Sequence, residues 1–117
     1  MDFEIKYKPS YSMLVIKLDP DESVTAEAGA MTYMEPNIEV KTRKREKSLL
    51  GSLGLSILGR QSFFINDYKA QNTNGEVAFV SAPVGDIEIL EVKPNQGYII
   101  QSASYIASTQ NVDLDMK

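Results

Sequence analysis

Side chains able to do chemistry fall in three places along this sequence. Residues 41 to 47 read KTRKREK and put Lys41, Arg43, Lys44, Arg45 and Lys47 within seven positions, a density of cations suited to an anionic surface or a phosphate. Asp86 and Glu88 stand two apart in DIEILEV. On a strand both project from one face, where paired carboxylates can share a proton or hold a divalent cation. Ser102, Ser104 and Tyr105 make IIQSASYIAST a polar, small-residue cluster with the hydroxyls to hydrogen-bond a ligand.

What the chain lacks narrows these options. Its 117 residues include no histidine and no cysteine. Gone with them are the neutral-pH proton shuttle, the soft zinc ligands, the cysteine nucleophile, the disulfide framework and every Ser-His triad. Ser102 or Ser104 would need a lysine as base, and close packing at Ala103 and Ala107 explains the small residues more simply. The Asp86 and Glu88 pair has the plainer reading of a solvated strand face. Asp19, Asp21 and Glu22 beside Pro20 read as turn formers. In GSLGLSILGR the glycines are not in the order a phosphate loop requires. The expectation is a non-enzymatic protein with no cofactor and no metal.

Charge is segregated. The net charge is -4, yet residues 41 to 47 carry +4, leaving -8 on the rest. An acidic body disfavours nucleic acid and weakens the case for base stacking on Tyr98 or Tyr105. The basic loop can still meet an anionic membrane surface, at about 1 kcal/mol per cation. Behind it, Leu50, Leu53, Ile57 and Leu58 recur at helical spacing and Gly59 stands at the C-cap position, which predicts one short helix near 48–58. Basic lead-in and apolar face are the ingredients of an interfacial anchor, but a helix this short in a small chain more simply covers its own sheet or a subunit contact. The longest apolar-leaning run, Ser48 to Gly59, is 12 residues, short for a membrane-spanning helix. The N-terminus MDFEIKYKPS has neither signal nor transit character, which points to a cytoplasmic protein.

Strands must position these groups. Phe3, Ile5 and Tyr7 alternate with charged residues up to Pro9, a period of two over Asp2 to Lys8. In YSMLVIKL, Leu14, Ile16 and Leu18 lie on one face and Met13, Val15 and Lys17 on the other. SVTAEAGAMTYMEPNIEVKT reads as two or three short strands broken at Gly29, a bulge or close backbone approach, and at Glu35-Pro36-Asn37. SFFINDYKAQN and VAFVSA flank TNGE, whose Asn-Gly predicts a hairpin. Further strands are predicted at DIEILEV, YIIQSA and SYIAS, and TQNVDLDMK either closes an edge or leads into a longer, two-half protein. About nine or ten short strands and one helix predict an all-β sandwich or barrel, a single domain over 1–117.

FEIKYKPSYSMLVIKL, VTAEAGAMTYMEPNIEV, GRQSFFINDY, PVGDIEIL and GYIIQSASYIAST resemble consecutive blocks of the altered-inheritance-of-mitochondria 24 family, Glu27-Ala28-Gly29-Ala30-Met31 most tellingly. The resemblance implies a TRAP-like β-sandwich, similar to the tryptophan-RNA-binding attenuator protein, with the Gly/Leu segment as a helix between two strands and a related second half following. It implies no catalytic residue. Mitochondrial members are linked to inner-membrane organisation, and the prokaryotic ones form a conserved domain of unknown function. Where many members have a Gly-rich approach to the helix this chain has TRKREK, so no role of its cations is carried over. The function expected is self-association and scaffolding as a homo-oligomer. The alternatives are a module for an anionic partner through Lys41, Arg43, Lys44, Arg45 and Lys47, and a carboxylate cation site or enzyme near Asp86 and Glu88.

Overall fold

In the computed structural model, which describes residues 1–46, 62–81 and 83–115, the apolar alternation of the sequence becomes two facing sheets. The strands are β1 (Asp2–Lys6), β2 (Met13–Leu18), β3 (Ser23–Glu27), β4 (Met31–Met34), β5 (Ile38–Glu46), β6 (Ser62–Ala70), β7 (Gly75–Val80) and β8 (Ala107–Thr109). Four form a sheet in the order β1-β2-β7-β4, and four form a second in the order β5-β6-β3-β8. Every pairing is antiparallel. The fold is all-β, as the sequence predicts, with eight strands among the described residues.

The core follows from the period of two. The β2–β7 ladder sets Leu14, Ile16 and Leu18 opposite Phe79, Val77 and Gly75, on the face turned toward the second sheet. That sheet answers with Val24, Ala26, Ile38, Tyr68 and Ala70. Tyr68 and Phe79 meet edge to face across the gap, ring centroids 5.2 Å apart at 71°, a contact worth about 0.5–1.5 kcal/mol beyond the area it buries.

Most connections change layer. Four residues (19–22) carry β2 to β3, three (35–37) carry β4 to β5, and four (71–74) carry β6 to β7. Such short links stack β2 on β3, β4 on β5 and β7 on β6, which leaves β1 and β8 together on the opposite flank from β4 and β5. The link 19–22 has Pro20 second and Asp21 third with φ 65°, as a type II turn requires. Its Asp21 and Glu22 clamp the end of β6 through Asp21 N to Ala70 O (2.7 Å) and Ala70 N to Glu22 O (3.1 Å).

The Asn-Gly hairpin predicted at TNGE is therefore wrong: β6 and β7 belong to different sheets. The left-handed residue in that link is Asn72 (φ 69°), while Asn74 does not adopt the positive φ of a type I′ turn. Asn37 holds the crossover instead, its Nδ2 donating to Asn74 O (3.0 Å), Thr73 Oγ1 (3.1 Å) and Thr73 O (3.2 Å). Gly75 serves close packing, since a Cβ there would lie 2.5 Å from Ile38 Cδ1.

Other expectations also change. The basic stretch is no loop: Lys41 to Glu46 continue β5 and pair with β6 as far as Glu46 opposite Ser62. No strand forms at 86–92 or 98–103, where Ser102–Ser104 is a 3₁₀ turn and the rest makes no ladder. From SYIAS only Ala107 and Ser108 enter a strand, pairing β8 with β3. TQNVDLDMK supplies Thr109 to β8 and then turns at Gln110 and Asn111, with no strand at 112–115. The helix predicted near 48–58 lies outside the described residues, as does Lys47.

Gly75 and Gly85 make a matched test of the crossover. Gly75→Val forces the link and Ile38 apart and is expected to lose about 1–3 kcal/mol, read as a lower urea midpoint. Gly85→Ala meets nothing within 4 Å and should leave the midpoint unchanged.

Candidate functional site

The densest polar cluster lies on the outer face of the second sheet. The ladders set Lys41 and Thr25 directly opposite Asp67, on the side turned away from Val24 and Tyr68. Arg43 reaches diagonally to Asp67 and donates twice, from Nε at 2.7 Å and Nη2 at 2.9 Å. Thr25 Oγ1 donates to the same carboxylate at 2.7 Å and Gln110 Nε2 at 3.0 Å, and Gln110 Nε2 also donates to Thr25 Oγ1 at 2.7 Å. The Tyr105 hydroxyl donates to Thr25 O at 3.3 Å and lies 2.9 Å from Ser108 Oγ. Thr25, Arg43, Asp67 and Gln110, with Ile65, Val112, Asp113 and Leu114, line a cleft of about 370 Å³.

Partial burial works to raise the Asp67 pKa, but hydrogen bonds from Arg43, Thr25 and Gln110, with the Arg43 charge, outweigh it and hold the carboxyl below its ordinary value. The same pairing strengthens the charge on Arg43, and burial pushes the Tyr105 hydroxyl up. Of the four donated bonds, three fall on Oδ1 and the Arg43 Nε bond on Oδ2. Asp67 thereby ties β3, β5, β6 and the turn at Gln110 together on the outer face.

Asp86 and Glu88 are brought together around a cation that the chain supplies itself. Lys8 Nζ lies 3.1 Å from Asp86 Oδ1 and 3.6 Å from Glu88 Oε1, and donates to Ile87 O at 3.1 Å. Ser12 Oγ donates to Asp86 Oδ1 at 2.7 Å, and the Ile87 amide donates to the same oxygen at 2.8 Å. The Ser12 bond, the Ile87 amide and Lys8 together lower the Asp86 pKa. Lys8 and Ser12 thus tack residues 85–88 to the β1–β2 loop, also through Ser12 N to Gly85 O (3.1 Å), while Ile87 is buried in the core. Among the described residues, no group of three or more His, Cys, Asp or Glu is placed to hold a metal ion.

Four of the five predicted cations, Lys41, Arg43, Lys44 and Arg45, share one strand but not one role. Arg43 is engaged with Asp67, and Lys41 Nζ lies 3.7 Å from Glu39. Lys44 and Arg45 follow on β5. Tyr98 is exposed, and Tyr105 turns to Thr25, so the two tyrosines do not form one stacking platform. Sequence reasoning missed the Thr25, Asp67 and Gln110 set. Its members lie more than 40 positions apart, and only strand pairing assembles them.

A third feature is an arm. Lys93 to Gln96 close a turn with Pro94 second and Asn95 third at φ 63°, Gln96 N bonding Lys93 O at 3.0 Å. The segments on either side, strand-like in pattern, make no ladder. Their Ile89, Leu90, Val92, Tyr98, Ile99 and Ile100 stand exposed, from 40% for Val92 to 82% for Ile99.

The family model of mitochondrial biogenesis AIM24 matches residues 3–117, and the chain belongs to that family. No curated protein and no solved structure matches it.

Two measurements check these assignments. The folded Asp67 pKa is lowered, so its contribution is fully present above the ordinary carboxylate pKa of about 4 and is lost as pH falls through the folded-state value. Asp67→Asn should lower stability at pH 7 by about 1–3 kcal/mol and flatten the acid limb of the urea midpoint against pH. Separately, millimolar Mg²⁺ or Ca²⁺ should leave the melting temperature unmoved, because Lys8 already bridges Asp86 and Glu88.

Proposed function

We propose that this AIM24-family chain is a non-enzymatic, self-associating scaffold whose subunits meet through surface rather than through a reaction centre. The observation that carries this reading is the arm between Val84 and Ile100. Residues of that kind contribute about 1.5–3 kcal/mol each when fully buried, and monomeric proteins rarely leave a contiguous apolar patch larger than a few hundred Å² in water. Here Ile89, Leu90, Val92, Ile99 and Ile100 stay exposed beside a hydrogen-bonded turn. A partner surface offers them burial, and a second copy is always available to the chain.

The carboxylates support the same reading from the other direction. Asp67 and Asp86, the acids with lowered pKa, are both committed to internal donors. Neither is left in the form of a base waiting for a proton.

The solution mass decides the matter. Multi-angle light scattering should give a multiple of the 13.0 kDa chain mass. Leu90→Lys with Ile99→Lys should move the peak toward a single chain while the circular dichroism stays that of a β protein. A wild-type particle of one chain at all accessible concentrations removes the scaffold reading.

A further inference from the structure

We propose that the acidic apolar arm of one copy adds to the β5 edge that no described strand covers in the next, a head-to-tail contact that continues the second sheet across the subunit boundary. The inference rests on the self-association reading and names the surfaces that carry it.

The edge is the first half of the argument. β5 ends the sheet order, with β6 on one side and no described strand on the other. An unpaired strand edge is a template for another strand. At nine residues β5 is long, against six for β2 and β7 in the facing sheet. The facing sheet covers Ile38 and Tyr68 fully, but on the same inner face Val40 is 37% and Phe64 is 52% exposed. The edge therefore offers backbone groups and uncovered apolar surface together.

Charge selects the occupant. On the arm, Lys8 already holds Asp86 and Glu88, and Glu91 lies between the exposed Leu90 and Val92, whereas β5 carries Lys41, Arg43, Lys44 and Arg45 against Glu39 and Glu46. Two copies of β5 pairing with each other would set like charges together, and two arms would do the same. Arm on β5 sets Glu91 beside the basic face, with Leu90 and Val92, which share the other face of an extended arm, available to cover Val40. This is the β-augmentation mode, in which main-chain hydrogen bonds supply affinity and alternate side chains supply specificity.

Topology explains why the edge belongs to a second copy. The arm leaves the core at Ile87, tacked beside the β1–β2 loop, and returns into β8. β1 and β8 share one flank, and β4 and β5 share the other. Each subunit then presents an arm on one flank and an acceptor edge on the opposite one, the arrangement of a heterologous interface.

Charge reversal with rescue tests the contact. Glu91→Lys, and separately Lys41→Glu, should each weaken association at least tenfold at low salt. An equimolar mixture of the two variants, which restores unlike pairing, should recover the wild-type mass. Raising salt should weaken the wild-type assembly. If the wild type is oligomeric but the reversals leave its mass unchanged, this contact is overturned and self-association stands. A wild-type particle of one chain overturns both. A single chain that floats with anionic vesicles only when Lys41 is intact would assign the β5 edge to a lipid surface and overturn the pairing.

Discussion

The fold depends on apolar contact between two layers that the chain builds in alternation. Tyr68 of β6 meets Phe79 of β7 across the gap, and the residues between them run the short link 71–74 from one sheet to the other. Neither sheet can finish before the other has begun, because only β1–β2 and β5–β6 are consecutive strands paired with each other. The folded state is therefore held by long-range burial rather than by independent hairpins, a topology that defers most of its stabilisation until distant segments meet. Polar groups at the crossovers serve that closure. Asn37 ties β4–β5 to β6–β7, and Asp21 and Glu22 tie β2–β3 to the end of β6.

How much of this was legible in the sequence depended on which interaction decided each element. β2 through β4 could be read because their signals are local: the two-sided apolar centre of MLVIKL, then Gly29 and Glu35-Pro36-Asn37 as breaks. TNGE misled because Asn-Gly reports only that the backbone can turn tightly. Whether the following strand pairs with the preceding one or faces it is set by Tyr68, Phe79 and Ile38, which lie outside the dipeptide. KTRKREK misled for an electrostatic reason. As an isolated run its like charges repel and suggest a solvated loop, but on β5 alternate residues point to opposite faces and Asp67 lies directly across from Lys41, with Arg43 folded onto it.

The candidate site was less legible than the fold. Asp86 and Glu88 were singled out, and the structure does place them around one cation, but that cation is Lys8, nearly eighty positions away. The Thr25, Asp67 and Gln110 set left no spacing signal, since its members come from β3, β6 and the turn after β8. Groups assembled by ladder register are invisible to motif reading unless the register itself can be predicted, and a one-residue slip would send every one of them to the opposite face.

DIEILEV and YIIQSA show the reverse case, in which the local signal is strong and the structure does not follow it. Their alternation suits strands, yet a strand is stable only when its backbone groups are paired and one face is covered. Ile87 is the arm residue that joins the core among those described, while Ile89, Leu90, Val92, Ile99 and Ile100 stay outside it. The remaining residues have strand character without a strand to join. The mismatch has a physical meaning: a sequence that keeps β-branched and aromatic residues outside any ladder retains the means to pair.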